Sequence, residues 1–234
     1  MNEKIVIIGG TSGIGYATAK AAINEGKDVI IGGRKRDKLA SALNGLPGAK
    51  GFCVDAESKD SLNSFFEQIG SFDHLVLTHS GNKGFGMFRD LSPEDILTGF
   101  KEKVAAQIRA AQCSLNTLRK DGSITFITAS SAQSSGPGIS GYAAINGALE
   151  RMVPPLAREL APLRINAVSP GIVDTSWWSF IGDLKDEIFS QSKKSLPVGK
   201  IAQAEDIASV ILMVLNNSII TGTTILADSG GHLI

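Results

Sequence analysis

The chain has 234 residues, with 23 basic against 23 acidic side chains, 43% hydrophobic residues, 26 glycines and two cysteines. That length suits one compact domain over residues 1–234. A formal charge of zero supplies no field for gathering nucleic-acid phosphates or anionic lipid, so neither partner is expected. Cys53 and Cys113 lie in an apolar run and a helical pattern and read as buried thiols, which points to a reducing compartment and a cytoplasmic protein.

Short β-rich apolar runs alternate with helical patterns along the chain, the pattern of a doubly wound α/β fold with seven parallel strands and helices on both faces. The pattern predicts strands near 4–9, 28–33, 50–54, 73–78, 122–128, 164–168 and 223–227. Helices are expected near 13–25, 36–44, 59–69, 93–118, 141–161 and 204–215, with a less regular piece over 176–194. The apolar run before the first glycines is too short for a secretory signal, so the chain is expected to start near Met1. The helix at 93 has the best start signal: Ser92 as cap, Pro93 in the first turn, then Glu94 and Asp95 at the positive end of the dipole. Pro154 and Pro155 predict a kink or break in the helix at 141–161. The stretch 207–227 lacks charge, but its Asn and Thr residues fit a helix followed by a strand rather than a membrane span.

The first strand runs into Gly9-Gly10-Thr11-Ser12-Gly13-Ile14-Gly15 and then a helix. Such glycines allow a tight turn and the close approach of a pyrophosphate, and the helix N-terminus offers free N–H groups to the anion. A mononucleotide loop is excluded, because no Gly-Lys-Ser/Thr follows. At the end of the second strand an acidic residue would accept bonds from the adenosine ribose. Here stand Gly33, Arg34, Lys35 and Arg36, which match a 2′-phosphate and so NADP(H). The other reading of these cations is solvated surface, although cations suit a helix N-terminus poorly.

These features together resemble the short-chain dehydrogenase/reductase family, over nearly the full length. The resemblance rests on the spacing of Gly9, Gly13 and Gly15, on Val54-Asp55-Ala56 where relatives bind adenine, and on Thr78-His79-Ser80-Gly81 in place of Asn-Asn-Ala-Gly. It continues through the stretch from Asn166 to Thr175, in which Pro170, Gly171, Ile172, Val173 and Thr175 border the nicotinamide in relatives. The closing segments Ile220-Thr221-Gly222 and Asp228-Ser229-Gly230-Gly231 resemble the family's last strand. The resemblance implies a single-domain Rossmann fold, a homodimer or homotetramer, and interconversion of a partly apolar small-molecule carbonyl and its alcohol. A non-catalytic NADP(H)-binding sensor is the alternative.

The family's Tyr-x-x-x-Lys here reads Tyr142-Ala143-Ala144-Ile145-Asn146, so this is an atypical member with asparagine in place of the lysine. By register the family's asparagine position falls on Lys103, as though the two residue types had changed places. The resemblance then implies Tyr142 as proton donor or acceptor, with Lys103 lowering its pKa and Asn146 on the nicotinamide ribose. The family's serine, 13 residues before the tyrosine, would be Ala129; Ser130 is taken for the role, with Ser131 and a purely structural turn as the other readings. His74, His79 and His232 lack metal-ligand spacing, and no metal site is expected. His79 reads as a packed imidazole or as a contact in the cleft. The aromatic run Trp177-Trp178-Ser179-Phe180, within 176–194, reads as a mobile lid over an apolar substrate, or else as core or interface.

Overall fold

The structure is a computed structural model describing residues 2–234. In chain order it runs β1 (Lys4–Ile8), α1 (Gly13–Asn24), β2 (Asp28–Gly33), α2 (Arg36–Asn44), β3 (Lys50–Cys53), α3 (Lys59–Ile69) and β4 (Phe72–Leu77). Then follow α4 (Pro93–Gly99), a π-helical turn (Phe100–Ala105), α5 (Ala106–Ser114), β5 (Leu118–Ile127) and α6 (Ser140–Glu159). The last part comprises β6 (Arg164–Pro170), β7 (Val173–Asp174), a 3-10 turn (Ser176–Ile181), α7 (Leu184–Ser195), β8 (Ala202–Gln203), α8 (Ala204–Asn216) and β9 (Thr224–Ala227). Seven strands form one parallel sheet in the order β3-β2-β1-β4-β5-β6-β9, while β7 and β8 pair separately.

Alternation along β1 explains the two-sided core. Ile5 and Ile7 face one layer, with Ala19, Ala22, Ile207 and Ile211 of α1 and α8. Val6 and Ile8 face the other, with Phe65 and Phe66 of α3, Ala110 of α5 and Leu149 of α6. From Ile5 to Ile8 each residue of β1 is buried whichever way it points, which is why this central strand reads as an unbroken apolar run. The sequence order reverses at β1, between β2 and β4, and an open α/β sheet leaves a crevice at the carboxyl ends of its strands there.

Ser92 accepts hydrogen bonds from the backbone N–H groups of Glu94 and Asp95, at 3.1 and 3.4 Å, so the helix at 93 starts where its cap predicts. The uncharged stretch divides into α8 and β9, and no helix among the described residues is long and apolar enough to cross a membrane.

Four expectations are corrected. The helix expected over 93–118 is interrupted by the π turn, and β5 begins at Leu118, before a register shift opposite Phe72 and His74. The irregular piece at 176–194 is a 3-10 turn followed by a regular helix. Of the kink or break expected at Pro154 and Pro155, the break is absent: α6 runs on to Glu159, and both residues are exposed. Cys53 is exposed at the end of edge strand β3 and Cys113 is half-buried, so neither thiol is a core residue.

Candidate active site

A cleft of about 630 Å³ opens along the carboxyl ends of the strands. Its wall begins with Gly9, Thr11, Ser12, Gly13, Ile14 and Gly15 and continues to Gly33, Arg34 and Lys35. Gly9 has φ +93°, and a Cβ there would stand 2.5 Å from the Thr78 hydroxyl; one on Gly33 would stand 2.6 Å from Thr11 Cγ2. The backbone is therefore bare where a ligand must approach. Ser12 precedes α1 without capping it, and the first turn carries no acidic group, so the N–H groups there suit an anion. Arg34 is 68% exposed and lies 3.8 Å from Glu57. Lys38, in the first turn of α2, lines the same corner and was not singled out by sequence reasoning, although it closes the cationic run that begins at Arg34.

Asp55 and Ala56 follow β3 along the wall, with Asp55 Oδ1 accepting the Glu57 backbone N–H at 3.0 Å. Ser80, Gly81, Pro170, Gly171, Val173 and Thr175 complete it, whereas Ile172 does not line the cleft.

The catalytic candidates meet beyond the loop. Tyr142, on the first turn of α6, donates its hydroxyl to the backbone carbonyl of Asn82 at 2.9 Å, and burial pushes its pKa up to about 12. Four residues on, Asn146 donates through Nδ2 to Tyr142 O at 2.9 Å and to Ser131 Oγ at 3.1 Å, while its buried Oδ1 has no donor. Lys103 enters from the π turn, 7% exposed, and donates to the Thr128 carbonyl at 3.2 Å. Burial pulls its pKa down to about 8, and Glu150 opposes that fall. The expected lowering of the phenol by Lys103 is therefore not found in this arrangement: burial moves Tyr142 upwards, and the ammonium is engaged elsewhere.

The two serines are placed differently. Ser130 is buried on a 3-10 turn, and its carbonyl accepts from Ser134 Oγ at 2.9 Å; neither Ser130 nor Ser131 lines the cleft, and Ser131 is the one in contact with Asn146. His79 does line it, with both ring nitrogens buried, and burial holds its pKa down to about 4. Sequence reasoning missed Asn82, Thr128, Gln107 and Glu150, because a backbone acceptor carries no side-chain signal and a buried glutamate on an amphipathic helix looks like solvated surface. Gln107, fully buried, donates to the His79 carbonyl at 2.9 Å and so ties the π turn region to the end of β4.

The aromatic run closes the far end. Trp177 packs against Tyr142, Trp178 and Phe180, with ring centroids 6.0, 5.1 and 5.0 Å apart, and Phe85 packs on the other side of Tyr142 at 5.9 Å. Two indole N–H groups anchor the turn, Trp177 to the Gly81 carbonyl at 3.1 Å and Trp178 to that of Val173 at 2.9 Å.

A glycine-bare crevice at the switch point of a parallel sheet, with a tyrosine and a lysine at its inner end, defines a Rossmann-fold oxidoreductase. Residues 9–232 match the family model described as enoyl-(acyl carrier protein) reductase. Among named relatives, a short-chain dehydrogenase/reductase of Gibberella fujikuroi is 29% identical, with 99% of this chain and 95% of that protein covered. A 3alpha-hydroxysteroid dehydrogenase of Mediterraneibacter gnavus is 28% identical, with 99% and 97% covered. The crystal structure of a small-chain dehydrogenase in complex with NADPH is 31% identical, covers 100% of both chains and superposes with a TM-score of 0.87. The chain belongs to the family of that model, within the short-chain dehydrogenases/reductases.

Proposed function

We propose that the protein is an NADPH-dependent reductase that converts a small-molecule carbonyl to an alcohol. The observation that carries this reading is the Tyr142 hydroxyl, which lines the same cleft as the glycine loop and, with a pKa of about 12, stays protonated through the neutral range. An alkoxide is a stronger base than a phenolate, so a neutral phenol passes its proton to a nascent alkoxide downhill. The reverse reaction needs a phenolate, which is scarce at neutral pH with such a pKa. Turning the O–H from the Asn82 carbonyl towards a substrate oxygen takes only rotation about the phenol C–O bond.

The residues fit the cofactor. When bound, NADPH supplies the hydride. The N–H groups of the loop at Ser12 to Gly15 suit its pyrophosphate, and Arg34 and Lys35 suit its 2′-phosphate, with Asp55 and Ala56 beside the adenine. Asn146 Oδ1, a buried acceptor without a donor, matches a ribose hydroxyl. Pro170, Gly171, Val173 and Thr175 suit the nicotinamide side. The NADPH complex of the 31% identical dehydrogenase supports this assignment. Lys103 adds positive charge to the cleft in which negative charge develops on the substrate oxygen.

The test is NADPH consumption with a panel of aldehydes, ketones, quinones and enoyl thioesters. Tyr142→Phe is expected to lower turnover ~100-fold or more while leaving NADPH affinity within about twofold. Lys103→Met lowers turnover and moves the alkaline limb of the pH profile to higher pH, because the titrating ammonium is gone. Full activity of Lys103→Met with an unchanged profile would remove that residue from the mechanism. NADPH binding with no carbonyl reduced would instead describe a cofactor-binding sensor, and reduction of the thioester alone would move the reaction to a C=C bond.

A further inference from the structure

Behind the cleft lies a carboxylate that the proposed reaction does not use. Glu150 is 9% exposed and accepts three hydrogen bonds: from Thr128 Oγ1 at 2.8 Å, Ser169 Oγ at 2.7 Å and Gln133 Nε2 at 3.0 Å. The Gln133 amide can only donate and the Ser169 hydroxyl donates as well, while the Thr128 hydroxyl is shared between Glu150 and the Val168 carbonyl at 3.3 Å, so the site offers donors to a carboxylate. Two hydroxyls or amides without a buried charge would satisfy such a site more simply, because taking a carboxylate out of water is costly unless a counter-charge accompanies it.

Thr128 points to the counter-charge. Its hydroxyl bonds Glu150 and its carbonyl accepts the Lys103 ammonium, so one residue at the end of β5 stands between a cation from the π turn and an anion from α6. On α6 the residues Tyr142, Asn146 and Glu150 recur at four-residue spacing, so the phenol, the ribose candidate and the carboxylate share one face of the helix.

We propose that Glu150 is a positioning residue of the reduction: acting across Thr128, it holds the buried Lys103 side chain in place and in its ammonium form within the cleft lined by Tyr142. This rests on the reductase reading given above. The other titratable groups around Lys103 do not supply the charge. Tyr142 on α6, at about 12, and His79 after β4, at about 4, are both uncharged in the neutral range. Glu102, on the same π turn, lines the cleft but does not shift Lys103, whereas Glu150 raises the lysine against its burial.

The experiment follows the titration of Lys103 itself, by NMR of 13C-labelled lysine side chains in the ligand-free protein, with the resonance assigned by its loss in Lys103→Met. Lys103 is expected to titrate near about 8 in the unmodified protein. In Glu150→Gln the midpoint falls by about one unit or more, a tenfold change in its protonation equilibrium. Thr128→Val keeps both charges and breaks the bridge, so a smaller fall in the same direction is expected; this variant carries the test if Glu150→Gln does not fold. The alkaline limb of NADPH-dependent reduction moves down with the Lys103 midpoint. An unchanged midpoint in the folded variants overturns the proposal, as does a shifted midpoint with an unmoved pH profile. A shifted midpoint in a protein that reduces no carbonyl would instead show the charge pair to be real and the reductase reading to be wrong.

Discussion

The two ends of the cleft are held by opposite means. At the glycine loop, a methyl group on Gly9 or Gly15 would collide with the Thr78 hydroxyl or with backbone, and β1, β2 and β4 are buried over their last four residues. At the aromatic end, the 3-10 turn and α7 contain no buried residue, and two indole N–H bonds, a Lys185–Asp174 ion pair and edge-on ring contacts attach them to the rest. One end is shaped by what the backbone cannot accommodate, the other by contacts that open at low cost. Under the proposed reductase reading, the rigid end would meet the part of the dinucleotide that does not change during reaction, and the loosely held end would face the substrate, which must enter and leave.

The comparison can be broken first at the loop. Gly9→Ala combines a positive φ with a Cβ overlap, so strain and overpacking together are expected to cost about 4 kcal/mol and to remove NADPH binding, as read by thermal unfolding and cofactor titration. Unchanged melting and affinity would mean that the close approach does not shape this end. Next comes pH. His79 falls from 6.5 in the unfolded chain to about 4 in the fold, so the unfolded state binds the extra proton and stability declines as pH drops from 6.5 towards 4. The loss is at most about 3–4 kcal/mol, and His79→Asn should flatten this part of the stability curve.

Smaller effects sharpen the contrast. Arg34→Ala is expected to narrow the preference for NADPH over NADH by about tenfold, the low end for a charge-assisted contact, because the side chain is largely exposed. Equal affinities in the unmodified protein would remove the 2′-phosphate assignment. Finally, Trp177→Phe keeps a ring but loses the bond to Gly81, so hydrogen exchange over 176–181 should rise about fivefold, equivalent to ~1 kcal/mol. In the unmodified protein the same amides should exchange faster than those of β1, and slow when NADPH is bound. Equal, strong protection in both states would make this end as fixed as the loop.

The two ends also differ in how far the sequence exposes them. The seven strands, the glycine loop and the helix start at 93 are legible because each depends on local chemistry: apolar runs of the right length, glycines between a strand and a helix, a cap before a proline. The Pro154-Pro155 pair misleads because local rules assign the lost donors a cost that an exposed helix face avoids. The choice between Ser130 and Ser131 is hard to read for another reason. Counting residues back from Tyr142 cannot say which hydroxyl a 3-10 turn presents, and the turn gives Ser131 to Asn146. Glu150 and Thr128 were invisible, because their partners come from β5, β6 and the π turn, which only the folded sheet brings together.

The π turn has a consequence for any comparison of chain lengths in this region. A π turn holds one residue more than α-helical geometry needs, and in this one Lys103 and Val104 are buried. Removing any one residue from 100–105 would restore ordinary helical phase and rotate one side of the turn against the other by about 100°. Either α4 would leave α6, or Lys103 would swing away from Thr128. A relative with a lysine at the aligned position but a helix one residue shorter would thus carry the same letter in the alignment and a different charge in its cleft.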